Sequence, residues 1–124
     1  MDLVTIFVLL VLFQLKHFIA DYPLQGKYML GKFKEKGWQG PLFAHTGVHA
    51  IGTFLICLLF VNPLFALGLS VFDFVTHSIM DRVKASPKML GRYEITDKKF
   101  WWSLGLDQGV HHLTHYAIIA MILL

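Results

Sequence analysis

The chain states one pattern twice. His17-Phe18-Ile19-Ala20-Asp21 returns as His77-Ser78-Ile79-Met80-Asp81, and His45-Thr46-Gly47-Val48-His49 returns as Asp107-Gln108-Gly109-Val110-His111. Each half, about residues 1–61 and 62–124, is a His-x-Ile-x-Asp segment followed by a His/Asp-x-Gly-Val-His segment. In all four, the ionisable residues stand four apart, which on a helix places them one turn above each other on a single face. All four also border or lie within long apolar runs, where imidazole and carboxylate side chains are costly and mark functional sites. Two related halves must therefore bring their polar faces together inside an apolar shell.

The apolar runs set the fold class. At 124 residues the chain is long enough for one domain, and 56% hydrophobic with 15% aromatic residues exceeds an ordinary soluble composition. Leu3 to Phe13 and His49 to Phe72 carry no charge, and Leu113 to Leu124 is interrupted only by Thr114, His115 and Tyr116. A spanning helix needs about 20 mainly apolar residues, which predicts four, near residues 2–21, 41–61, 63–81 and 101–124. The expected architecture is an all-α membrane protein in a single domain. It is a four-helix transmembrane bundle of two tandem helical hairpins related by a pseudo-twofold axis. The one cysteine, Cys57, falls mid-helix and reads as packing.

Charge orients the bundle. All eleven Lys and Arg residues lie between Lys16 and Lys36 or between Arg82 and Lys99, in or beside the connections after the first and third helices. By the positive-inside rule both connections face the cytoplasm of a bacterial inner membrane and both termini lie outside the cytoplasm. Tyr22, Tyr28, Trp38, Tyr93, Trp101 and Trp102 form an aromatic belt at that boundary, and Lys16 snorkels towards it. The basic face suits anionic lipid or a phosphorylated substrate. No recognition motif accompanies the charge, so no nucleic acid partner is expected. A homo-oligomer is compatible with the pattern.

Topology then places every repeated motif at one depth, within about 5 to 15 Å of the cytoplasmic boundary at 1.5 Å per residue. Gly47 and Gly109 are expected where helices approach closely. Eight ligand-type side chains, His17, Asp21, His45, His49, His77, Asp81, Asp107 and His111, match the demand of one or two divalent ions. Zinc is the first choice, with manganese and iron as alternatives. Asp73 and His115 extend the same faces by a turn, as partners of the ligands or alternative ligands. Arg82, Lys84 and Gln25 follow the motifs closely enough to hold a phosphorylated head group, and snorkelling is their simpler role. His112, about 100° around from His111, is placed to move a proton.

The order H-F-I-A-D-Y-P-L-Q, A-H-x3-H, H-x3-D-x2-K and D-Q-x2-H, at His17 to Gln25, Ala44 to His49, His77 to Lys84 and Asp107 to His111, resembles a family of small bacterial and phage membrane proteins described as a domain of unknown function. The likeness covers nearly the whole chain. The His- and Asp-rich helices are more distantly similar to the LexA-regulated inner-membrane family assigned as metal-dependent hydrolases, in ligand style rather than in any aligned stretch. That likeness implies hydrolysis.

Taken together, these features lead to a membrane-embedded metal-dependent hydrolase of a phosphoester or lipid-linked substrate, with its centre at the cytoplasmic leaflet. In this expectation Lys84 stabilises charge at the substrate. Two alternatives remain: a metal or proton transporter, and a phage accessory membrane protein with a structural metal site. Against transport, the non-cytoplasmic half offers only Thr5, Thr53, Asn62 and Ser70 as polar side chains. The orientation is directly measurable. In a chain carrying Cys57→Ala, Lys34→Cys should resist impermeant thiol reagents in intact cells, while a cysteine added after Leu124 should react. The reverse labelling would invert the topology.

Overall fold

Local signals set the helix ends in the computed structural model, which describes residues 2–124. Asp2 caps the first helix, α1 (Leu3–Asp21), its Oδ1 accepting from the Thr5 backbone N–H at 2.8 Å and from the Thr5 hydroxyl at 2.7 Å. The helix stops before Pro23, which has no backbone N–H to carry the helical hydrogen bonds further. A 3-10 helix, Lys27–Phe33, fills the first basic connection, and Gly37, with φ of 73°, turns the chain into α2 (Gln39–Cys57). Asn62 caps α3 (Pro63–Ala85) by accepting from the Phe65 N–H, and Pro63 occupies the first turn where its missing donor costs nothing. A short 3-10 turn, Leu90–Arg92, leads to α4 (Lys98–Leu123). Among the described residues there is no strand.

Each helix packs on its neighbours in sequence, most extensively α2 on α3, and α1 meets α4 to complete the ring. The polarity of the bundle is inverted. Leu3, Val4, Phe7, Val11, Leu15 and Phe18 form an exposed stripe along α1, while Lys16, His17 and Ala20 are buried on its other face. The same inversion holds on α3, where Val71, Val75 and Ile79 are exposed and Asp73, His77 and Asp81 are buried. An apolar outer surface around a polar interior fits a lipid environment rather than water.

Three helices, α1, α2 and the α3 segment, are long and apolar enough to cross a membrane. The fourth expected span is a helix of sufficient length, but α4 falls outside that set. The reason is its own chemistry: Asp107, Gln108, His111, His112 and His115 crowd its first two-thirds.

The interior divides into two layers. Leu9, Phe13, Cys57, Ala66, Leu69, Ile118, Ile119 and Ile122 form an apolar cluster at the end away from the basic connections, and the histidines and carboxylates fill the other end. Gly47 and Gly109 do not mark close helix contacts, since nothing lies within 4 Å of where their Cβ atoms would be. Gly52 does: a Cβ there would sit 2.6 Å from Lys16 Cγ, so the Lys16 stem crosses α2 at this residue. Gly52→Val should therefore displace that stem and lower stability by about 1–3 kcal/mol. The readout is the Tm of the purified protein in detergent, and an unchanged Tm would contradict the close approach.

Candidate metal centre

Helical register delivers six of the repeated residues to one place. Asp21 at the end of α1, His45 and His49 on α2, and His77 on α3 present ligand atoms all within 4.8 Å of one another. His77 also joins Asp81 on α3 and His111 on α4 in a second group within the same limit. The two groups thus share one imidazole and draw on all four helices, and these buried groups could hold a metal ion.

The two halves repeat a contact. His49 Nε2 lies 2.8 Å from Asp21 Oδ1, and its counterpart His111 Nε2 lies 3.1 Å from Asp81 Oδ1. His45 Nε2 bridges the halves, 3.4 Å from Asp21 Oδ1 and 3.2 Å from Asp81 Oδ2. His49, His77 and His111 stack as a column, with ring centroids 3.9 Å apart at each step.

His77 is the centre of this arrangement. Its Nδ1 lies 3.5 Å from Asp73 Oδ1, and its buried Nε2 has no hydrogen-bond partner among the described residues. His45 Nδ1 and His49 Nδ1 are likewise buried without partners. Buried imidazole nitrogens normally find partners, and the His and carboxylate residues that converge in the two groups are a donor set that fits a divalent cation.

The remaining two expected ligands stand beside these groups. His17 Nε2 lies 2.9 Å from Asp21 Oδ2 and 3.0 Å from Gln108 Oε1, and Asp107 Oδ1 lies 3.0 Å from His111 Nε2. Both side chains orient members of the two groups. His112 is half-buried with its ring 5.4 Å from that of His17, at the edge of the cluster.

Deeper in the bundle, Lys16 corrects the snorkelling expectation. It is only 8% exposed, and its Nζ donates to Asp73 Oδ2 at 3.2 Å and Thr53 Oγ1 at 3.3 Å and lies 3.2 Å from His115 Nε2. The Thr53 hydroxyl also donates to Asp73. The cause is position: Lys16 lies on the buried face of α1, Gly52 gives its stem passage, and a buried carboxylate needs a cation. Asp73 and His115, expected near the ligands, thus form this second network, which touches the centre through the His77 side chain.

The expected head-group residues have other partners. Arg82 Nη1 donates to the carbonyls of Lys32 and Lys34, each at 3.0 Å, and its guanidinium stacks 4.2 Å from the Trp38 ring centroid. Lys84 Nζ lies 5.1 Å from the Phe100 centroid. Gln25 Nε2 donates to the Asp21 carbonyl at 2.9 Å, leaving its buried Oε1 without a partner among the described residues. Sequence reasoning missed Lys32. It is 8% exposed with its Nζ 3.5 Å from Asp81 Oδ2. Its only local signal is its setting between Gly31 and Phe33 in a loop rich in lysines.

Because His77 belongs to both groups and His17 to neither, their variants should separate. Elemental analysis of protein purified without chelator should find about one or two divalent ions per chain in wild type and in His17→Ala, and a marked loss in His77→Ala. Chelation should lower the wild-type Tm, because a ligand bound only to the folded state stabilises it. Equal metal content in all three proteins would place the ion elsewhere.

No curated protein and no solved structure matches the chain. A family model matches residues 8–124. On that match, spanning nearly the whole sequence and every residue of the centre, the chain belongs to the family described as "Protein of unknown function (DUF3307)".

Proposed function

We propose that the protein is a membrane-embedded, metal-dependent hydrolase of a phosphoester or lipid-linked substrate. It is a four-helix transmembrane bundle of two hairpins, whose centre opens to the cytoplasmic leaflet of the bacterial inner membrane. The observation that supports this reading is the paired donor set: two groups sharing His77, positioned beside the basic connections and closed on the other side by the apolar layer. One or two divalent ions, zinc first, would polarise a phosphoryl oxygen and lower the pKa of a bound water.

The chain's own residues supply access, orientation and proton movement. Asp21 is the least buried carboxylate of the two groups, its side chain 18% exposed, and marks the way in. Gln25, tied to the Asp21 carbonyl, leaves an amide oxygen there to accept from a head-group hydroxyl. His112, half-buried beside His17, is the base that moves a proton between the centre and the boundary. Asp73 holds His77 in position through Nδ1, as carboxylates do for metal-bound imidazoles. The apolar layer of Leu9, Phe13, Leu69 and Ile118, each at most 2% exposed, opposes a transport path through the bilayer.

A structural ion is favoured by one feature, the full burial of His77, Asp81 and His111. The two readings differ in turnover. Purified metal-loaded protein should hydrolyse at least one member of a panel of phosphoesters and phosphorylated lipids, without moving metal across liposomes. His112→Ala should retain its metal and lose about 100-fold in rate, the scale of general acid–base catalysis. Metal-loaded protein with no turnover on the panel would leave the structural reading, and metal flux would favour transport.

A further inference from the structure

Lys32 is held in place with unusual firmness for a loop lysine. The 3-10 helix that carries it packs against α2 and α3, and Gly31 makes this possible, since a Cβ there would lie 2.7 Å from Pro41 Cγ. Arg82 latches the same strap by its hydrogen bonds to the Lys32 and Lys34 carbonyls and its stacking on Trp38. The outcome is an ammonium group buried beside Asp81, one of the two carboxylates of the donor groups.

Charge balance shows what such a group is for. The polar end of the bundle holds four carboxylates, the partly buried Asp21 and the buried Asp73, Asp81 and Asp107, against two buried ammonium groups, of Lys16 and Lys32. Lys16 is bound to Asp73 and its neighbours. Among the described residues, Asp81 is the one carboxylate paired with Lys32. With the imidazoles neutral, as metal binding requires, this leaves the centre short of two positive charges; one divalent ion balances it, and two leave it with two to spare. Buried charge without a counter-charge is costly, and an ion on Asp81 competes for the carboxylate that now neutralises Lys32.

We infer that Lys32 and the loaded donor groups form a subsite for a phosphate group, with Lys32 as the substrate-binding cation that meets the phosphoryl oxygens. The inference rests on the proposed metal centre, and it assigns to Lys32 the role that sequence alone suggested for Lys84 and Arg82. With two ions bound, a phosphate dianion restores neutrality, and an ammonium beside the ions is placed to stabilise the phosphoryl charge.

The test uses full-length protein in detergent, loaded with zinc and washed, titrated calorimetrically with inorganic phosphate and separately with a short-chain phosphatidic acid. Wild type should bind at least one probe, and stripping the metal should abolish that binding. Lys32→Met should keep its metal and its helical circular dichroism while losing about tenfold or more in affinity, and Lys32→Arg should retain most of it. Binding of phosphatidic acid alone identifies a lipid head group as the source, and binding of inorganic phosphate identifies a free phosphate; either supports the subsite. The inference is overturned if wild type binds neither probe, if metal-free protein binds equally well, or if Lys32→Met binds like wild type or sheds its metal. Phosphate binding by a protein that turns over no substrate would end the hydrolase reading and leave the subsite standing.

Discussion

Everything in this bundle follows from one constraint: carboxylates and imidazoles placed inside an apolar shell must satisfy each other or a bound ion. Leaving one charged member unpaired costs several kcal/mol, comparable to a large share of a small domain's stability. The structure meets the demand by layering. Polar residues collect at the basic end, and an apolar plug from Leu9 to Ile122 fills the rest. Even so, nitrogens of His45, His49 and His77 have no partner among the described residues, and the convergence of His and carboxylate ligand atoms in the two groups is the physical case for a cation.

The two halves begin as copies and end with different tasks. His17 and His77 are equivalent in the repeat, yet only His77 joins both donor groups. The residue one turn before each explains the difference: Asp73 precedes His77 and lies 3.5 Å from its Nδ1, whereas Phe13 precedes His17 and belongs to the apolar cluster. A second asymmetry follows from Lys16, whose counterpart in the repeat is Thr76. Thr76 returns its hydroxyl to its own helix at the Phe72 carbonyl, while Lys16 crosses to Asp73 and fixes that carboxylate. One half thus supplies the shared imidazole, and the other supplies the cation that secures its support.

Local pattern made much of this legible. The apolar runs mark helices whose ends the structure reproduces within a few residues, because the capping by Asp2 and Asn62 that sets two of those ends acts over a single turn. The four-residue spacing of His and Asp found six residues that converge, because helical register is also local. What sequence could not show are the contacts made across the fold. Lys32 reaches Asp81 from a loop, through a strap whose position depends on Arg82, fifty residues away. Lys16 is buried by the absence of a side chain at Gly52, which no property of Lys16 itself signals. The expected fourth span, α4, falls outside the helices apolar enough to cross a membrane, since the residues of the His/Asp cluster dilute its apolar run.

The central claim is that imidazoles and carboxylates from both halves bind metal together. X-ray absorption at the edge of the bound metal tests it most directly. The account calls for a mixed first shell of nitrogen and oxygen donors with clear imidazole scattering from two or more histidines. An all-oxygen shell without imidazole scattering would contradict it.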